Sequence, residues 1–363
     1  MNRSILGLGL LALVVIGSLV AVAVDWEALQ RAAPERKSQI RVAIFYGGEK
    51  SRLLANPKIA DIIEDRHKIT LDARKAGSVE MVTTLDASAM DCLWPSNQIA
   101  VALARESGKP VRSDQNIFNS PIVFYAWSDV ADALTRAGVV RQRPDGFLAA
   151  DIAKLGDLIA RSARWREDLG LSIYGPVKVF STHPAKSNSG NIWSALLATV
   201  FNGGETPTKA DIPNLLPKIT AYFDAMGHME ASSGDIFENF LKQGMGARPI
   251  IVGYENQLVE FLVENASYAD LIRQKIRVIY PEPTIFASHP LISLTDRCAR
   301  LVEALEDPEV RDLAWAEHGF RTGLIGVQND PGAIAVARLP STVDLVAPMP
   351  DAAVMSAVID AVR

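Results

Sequence analysis

The chain has very little cysteine. Two residues in 363, Cys92 and Cys298, rule out a disulfide-dense scaffold and any four-cysteine metal site. Whether the two pair is open, because distance along the sequence says nothing of distance in space. Histidine is also scarce, with five scattered residues and no His-Glu-x-x-His pair, so no metal site is expected. No Gly-x-x-x-x-Gly-Lys-[Ser/Thr] run is present, which excludes a P-loop nucleotide site. No Gly-x-Ser-x-Gly elbow is present either, and no nucleophile, base and orienting group can be assembled. Neither catalysis nor a cofactor is therefore expected. Excess positive charge is missing too: 37 basic residues face 42 acidic ones, net −5, with no basic stripe, so nucleic acid is not an expected partner. Internal repeats and low-complexity segments are absent.

What is present is apolar. Hydrophobic residues make up 48% and charged residues 22%, enough to bury a sizeable core. The length suits two domains of about 100–200 residues each. Twenty residues from Ile5 to Val24 carry no charge and no proline. As a helix this run reaches about 30 Å, the thickness of a bilayer core. Two readings follow: a secretory signal cut after Ala21-Val22-Ala23, or an uncleaved anchor. The length of the run favours the anchor. Residues 25–39 are polar, contain Pro34 and read as a linker.

From residue 40 the pattern changes. Ile40–Tyr46, Ile69–Ala73 and 89–93 are short apolar strands. Each is followed by a loop and a helical stretch (51–64, 79–85, 98–105). The alternation predicts an α/β fold with a parallel sheet covered by helices. Further strands are expected at 121–127, 177–181, 249–254 and 276–280. Helices are expected at 129–137, 152–160, 191–200, 219–226, 236–244, 256–263, 295–305 and 308–318.

In such folds ligands gather beyond the carboxyl ends of the strands. Five loops there are rich in Ser, Asn and Gly: Gly47–Ser51 (GGEKS), Gly77-Ser78, Trp94–Asn97 (WPSN), Lys186–Gly190 (KSNSG) and Tyr254–Asn256 (YEN). Small hydroxyls, amides and free N–H groups at a helix start suit a small anion. The same residues are ordinary helix caps, and one cap is all a helix needs. Ser187, Asn188, Ser189 and Gly190 exceed that need and are the strongest ligand candidates. Lys50 and Lys186 either supply charge to an anion or, as loop lysines more often do, stay solvated; Glu255 is expected to brace a backbone donor or point outward, and His183, before Pro184, to be a turn residue. His289 falls in no recognisable context.

Several of these segments, in order, resemble a known family. Gly77–Glu80 (GSVE), Asp91–Ser96 (DCLWPS), Ser120–Trp127 (SPIVFYAW), Thr182–Gly190 (THPAKSNSG), Val252–Asn256 (VGYEN) and Leu305–Arg321, with EDPEVRD and HGFR, are similar to motifs of extracellular solute-binding proteins of ABC importers. The resemblance is to the type 2 periplasmic-binding branch that includes sulfate, molybdate and tungstate binders. It covers about residues 40–322 and departs at Thr322, where proline is usual, and at GGEKS, whose plain form is Ser/Thr-rich.

The resemblance implies a two-lobed α/β fold with crossover strands. Lobe one would be 40–122 with 256–325, and lobe two 123–255, followed by an extension at 326–363 with a terminal helix. It implies a ligand, most simply an oxyanion, held in the interlobe cleft by Gly48, Ser51, Ser78, Ser96, Ser189, Gly190 and Tyr254, together with Ser187 and Asn188. It also implies a periplasmic location and a membrane transporter as partner. A membrane-tethered sensor of the same fold is the alternative.

Overall fold

In a computed structural model, residues 38–322, 329–335 and 337–362 are described. The apolar run at 5–24, and with it the signal or anchor reading, lies outside them. Among the described residues no helix is long and apolar enough to cross a membrane.

Strand β1 (Ile40–Tyr46) pairs in parallel with β2 (Ile69–Lys75) and with β3 (Cys92–Trp94). After β1 the expected helix over 51–64 is broken into Ser51–Ala55 and Pro57–Asp61. Pro57 brings no N–H and so opens a new helix, and the Asn56 side chain accepts from Lys58 N at its start.

The organising strand is β4 (Ser113–Trp127), fifteen residues and therefore about 50 Å long. Its first half pairs antiparallel with β9 (Phe286–Ser293) and β10 (Arg321–Thr322). Its second half pairs antiparallel with β7 (Ile250–Tyr254) and β8 (Ile276–Glu282). Beyond β8 come β6 (Leu148–Asp151), parallel to it, and β5 (Val140–Gln142). The order is β2-β1-β3-β9-β4-β8-β6-β5, with β7 and β10 attached to β4. The sheet is thus mixed, not purely parallel, because the strands that pass between its two halves run against their neighbours. The strand expected at 177–181 contributes one bridge, Phe180 to Ile251.

Each half has its own core. One surrounds helix Asn188–Phe201, which is buried over nearly its whole length and apolar on most faces, as a central helix must be. There Trp193 meets Phe124 edge-on, ring centroids 5.4 Å apart. The other core packs Val42, Ile44, Trp94, Phe118 and Phe320 against helix Arg297–Leu305. A Cys92–Cys298 disulfide ties β3 to that helix. The last residues are integrated as well. Helix Ala352–Ala361 places Met355 and Val358 in the first core, and Thr284 bridges to Val346.

Candidate functional site

Helix Asn188–Phe201 is buried over nearly its whole length, and its N-terminus faces the loops that follow β1 and β3. Asn188 Nδ2 donates to Ser96 O at 2.7 Å and to the Tyr254 hydroxyl at 3.0 Å. Its side-chain oxygen accepts from Asn97 Nδ2, which also reaches Asn191 Oδ1 at 3.3 Å. Asn97 meanwhile caps helix Ile99–Glu106 through Ala100 N, 3.1 Å from its Oδ1. The WPSN and KSNSG loops, 91 residues apart, therefore meet face to face.

The cleft between them opens into a cavity of about 330 Å³. Its walls include Gly48, Glu49, Lys75, Ser78 and Glu80 on one side and Lys186, Ser187, Asn188, Ser232 and Ser233 on the other.

The sequence-expected residues fall into three groups. Gly48, Ser78, Ser187 and Asn188 line the cavity. Ser96, Ser189 and Tyr254 lie buried behind it. The Ser78 hydroxyl accepts from Ser96 N at 3.0 Å, and Ser189 Oγ sits 2.8 Å from Thr182 Oγ1 and 3.3 Å from Ser187 Oγ. Ser51 and Gly190 are not brought to the cavity walls. Ser51 Oγ donates to Gly48 O at 2.7 Å, within its own turn. Gly190 N donates to Thr182 Oγ1 at 2.9 Å, and a Cβ there would lie 2.2 Å from Thr182 O, so glycine is required by packing.

Two charged groups, Lys50 and Glu255, differ from expectation, and a histidine joins the first of them. Lys50 is not solvated but fully buried. Its ammonium donates to Glu49 Oε1 and, at 3.0 Å, to Ser96 Oγ, and lies 5.3 Å from the Trp94 ring centre. The Ser96 hydroxyl in turn donates to Glu49 Oε1. His289 joins them, with Nδ1 3.5 Å from Glu49 Oε1 and its ring perpendicular to Phe320 at 5.3 Å. Glu255 neither points outward nor braces the backbone. It forms a buried pair with Arg321, Nε to Oε2 2.7 Å, and accepts from the Tyr280 hydroxyl at 2.6 Å. His183 is, as expected, a turn residue, its carbonyl accepting from Lys186 N and Ser187 N.

Burial pushes the Glu49 carboxyl up, but the Lys50 ammonium and His289 outweigh it and hold it well below the usual carboxylate range. Burial lowers Lys50, against the pull of Glu49. Burial and Lys50 push His289 down to about 4, so it is neutral at pH 7. Burial raises the Tyr254 phenol, helped by Glu49, so it remains a hydrogen-bond donor.

Glu49 and His289 escape the sequence reading, as do the roles of Lys50, Asn97 and Thr182, which lie in segments it singled out. Glu49 and Lys50 lie within the singled-out GGEKS, but their burial carries no local signal. His289 lies on β9, whose proline-containing segment reads as no strand. Among the described residues no cluster of three or more His, Cys, Asp or Glu forms a metal site.

No known family model matches the sequence, and no curated protein sequence does. Solved structures match over most of the chain. Iron-bound HitA from Pseudomonas aeruginosa is 13% identical, covers 89% of this chain and 99% of its own, and superposes with a TM-score of 0.58. The periplasmic binding protein AfuA from Actinobacillus pleuropneumoniae, with fructose-6-phosphate bound, gives 11% identity, 90% and 99% coverage and 0.54. The sulfate-binding protein SubI from Mycobacterium tuberculosis gives 13%, 88%, 96% and 0.51. The chain has the fold these proteins share, the type 2 periplasmic-binding-protein fold.

Proposed function

We propose that this protein captures a small solute carrying an oxyanionic group in the cleft between its two halves and presents it, outside the cytoplasm, to an ABC transporter in the membrane. In this reading residues 40–122 with 256–325 form one lobe and 123–255 the other. Residues 5–24 serve as export signal or anchor. The halves close on the ligand as a hinge whose equilibrium is shifted by contacts made only in the closed form.

One observation carries the proposal. Loops from the two halves touch through Asn188, Ser96 and Asn97 and enclose a polar cavity lined from both sides. Three further features support it. The N-terminus of a fourteen-residue buried helix points into the cleft and adds partial positive charge. Lys75 and Lys186 line the cavity, and among the described residues neither forms an ion pair. The Cys92–Cys298 disulfide fits an oxidising compartment. Cavity size also fits, since about 330 Å³ holds a small molecule and not a polymer.

The test is a thermal-shift screen of the protein against oxyanions, organic acids, phosphate esters and sugars, since a ligand of the native state alone raises the melting temperature. Lys186 is exposed, so Lys186→Glu keeps the fold while reversing the charge at the cavity wall. It is expected to weaken binding of the best anionic hit by about tenfold or more, the equivalent of one charge-assisted contact. Equal affinity in calorimetry places the anion elsewhere.

A further inference from the structure

The Glu49 carboxylate is an unusual feature of a cleft meant for anions. Its Oε1 gathers the Lys50 ammonium and the Ser96 hydroxyl and faces His289, while among the described residues its Oε2 makes no hydrogen bond. The side chain is nearly buried yet lines the cavity. Its place is fixed by close packing on Gly47, where a Cβ would meet both carboxylate oxygens and Ser96 Oγ within 2.6–2.8 Å. Behind it His289, fully buried, makes no hydrogen bond through either ring nitrogen.

The charges around the cavity are thus divided. Glu49 and Lys50 compensate one another at the inner end. Lys75 and Lys186 supply positive charge on opposite walls, with Glu80 as a second carboxylate beside them. Sulfate, fully deprotonated at neutral pH, has acceptors on every side. Whichever way it turns, it sets an acceptor against Glu49 Oε2, and two acceptors without a proton between them repel. A ligand with an anionic group at one end and an O–H or N–H at the other meets a donor-demanding carboxylate with a donor.

From this juxtaposition we propose that Glu49 is a specificity-determining residue. The cleft selects an organic anion that carries a hydroxyl or ammonium donor, and it rejects sulfate, which has no proton to offer. The donor binds Glu49 Oε2 while the anionic group turns toward Lys75 and Lys186. Lys50, Ser96 and His289 are positioning residues that hold the carboxylate in place from behind. This inference rests on the cleft being the binding site and narrows the class of ligand. A site built to accept a hydrogen bond discriminates strongly, because an analogue without the donor leaves the buried acceptor unpaired.

The experiment is calorimetry on the protein with sulfate, glycerol 3-phosphate, L-malate and L-serine, repeated on Glu49→Gln. Gln keeps the volume and the hydrogen bond from Ser96, and circular dichroism and the melting curve verify the fold. Should that variant not fold, Glu49→Asp is used, which keeps the charge next to Lys50 and withdraws it from the cavity by one methylene. The expected result is that the wild type prefers a donor-bearing organic anion over sulfate by about tenfold or more, and that either variant erases most of this preference. Two results overturn the inference while leaving the cleft as the binding site: tight sulfate binding by the wild type that Lys186→Glu weakens, or an organic-anion preference that Glu49→Gln and Glu49→Asp leave unchanged. Binding of these probes that is indifferent to Lys186→Glu as well removes the cleft reading itself, and this inference with it.

Discussion

His289 shows how one buried side chain couples the cleft to pH. Burial and the neighbouring Lys50 place its value at about 4, below the 6.5 of an ordinary histidine. Between those two values the unfolded chain binds a proton that the native state refuses, so stability falls as pH drops from 6.5 toward 4. The loss at pH 4 is on the order of 3 kcal/mol for this residue. Glu49 acts in the same direction at lower pH. Its native carboxyl stays ionised beside Lys50 after the unfolded one has been protonated, so the stability it gives above pH 4.5 is lost on further acidification. Urea unfolding at pH 4, 5, 6 and 7 should show this slope, and His289→Gln should flatten it above pH 4. An equal slope in the variant would assign the acid sensitivity to other groups.

At the scale of elements, helix Asn188–Phe201 does two jobs with one set of residues. Its body, around Trp193 and Leu196, fills a core, and its first turn makes the contact with the opposite loop. Gly190 is where the two requirements meet, because the helix passes so close to Thr182 that no Cβ fits. Gly190→Ala would gain intrinsic helix propensity of about 1 kcal/mol at an exposed site. Here the clash is with backbone, which cannot swing aside, so a net loss of about 1–3 kcal/mol is expected. Thermal unfolding checks the sign, and a stabilised variant would contradict the packing account. The second such element is β4, whose polar half Ser113–Asn119 and apolar half Ile122–Trp127 belong to different sheet regions. Only the apolar half resembles a strand in the sequence, since alternating polar residues gain their strand identity from the partner β9.

For the molecule as a whole, the disulfide and the final helix matter most. Cys92 and Cys298 lie 206 residues apart in sequence. Closing so long a loop restricts the unfolded chain, and replacing both residues with alanine is expected to cost about 2–5 kcal/mol. Reduction without added denaturant should lower the melting temperature in the same way. An unchanged melting temperature after verified reduction would show that the bond adds nothing to stability. Arg321 holds a comparable position without a covalent bond. It pairs with Glu255 and donates to Pro340 O at 2.7 Å and Ser341 O at 3.0 Å, joining β10, the end of β7 and the chain that leads to the last helix.

The sequence by itself determined which segments are apolar, where β1 ends, and that small polar residues crowd the loops after β1, β2 and β3. These are local properties, written in runs of neighbouring residues and in the demands of turns and caps. Because the resembling motifs recur in order, the fold class followed too. Tertiary structure alone decided that the sheet is mixed, that Cys92 meets Cys298, and that Ser51 and Gly190 serve the chain while Ser78 and Ser187 face the cavity. It also decided that Glu49, Lys50, Ser96 and His289 form one buried cluster. The physical reason is that burial and ionisation are set by what arrives from distant parts of the chain. His289 stands 240 positions from Glu49, and no property of either residue's neighbours announces that the two will share a site.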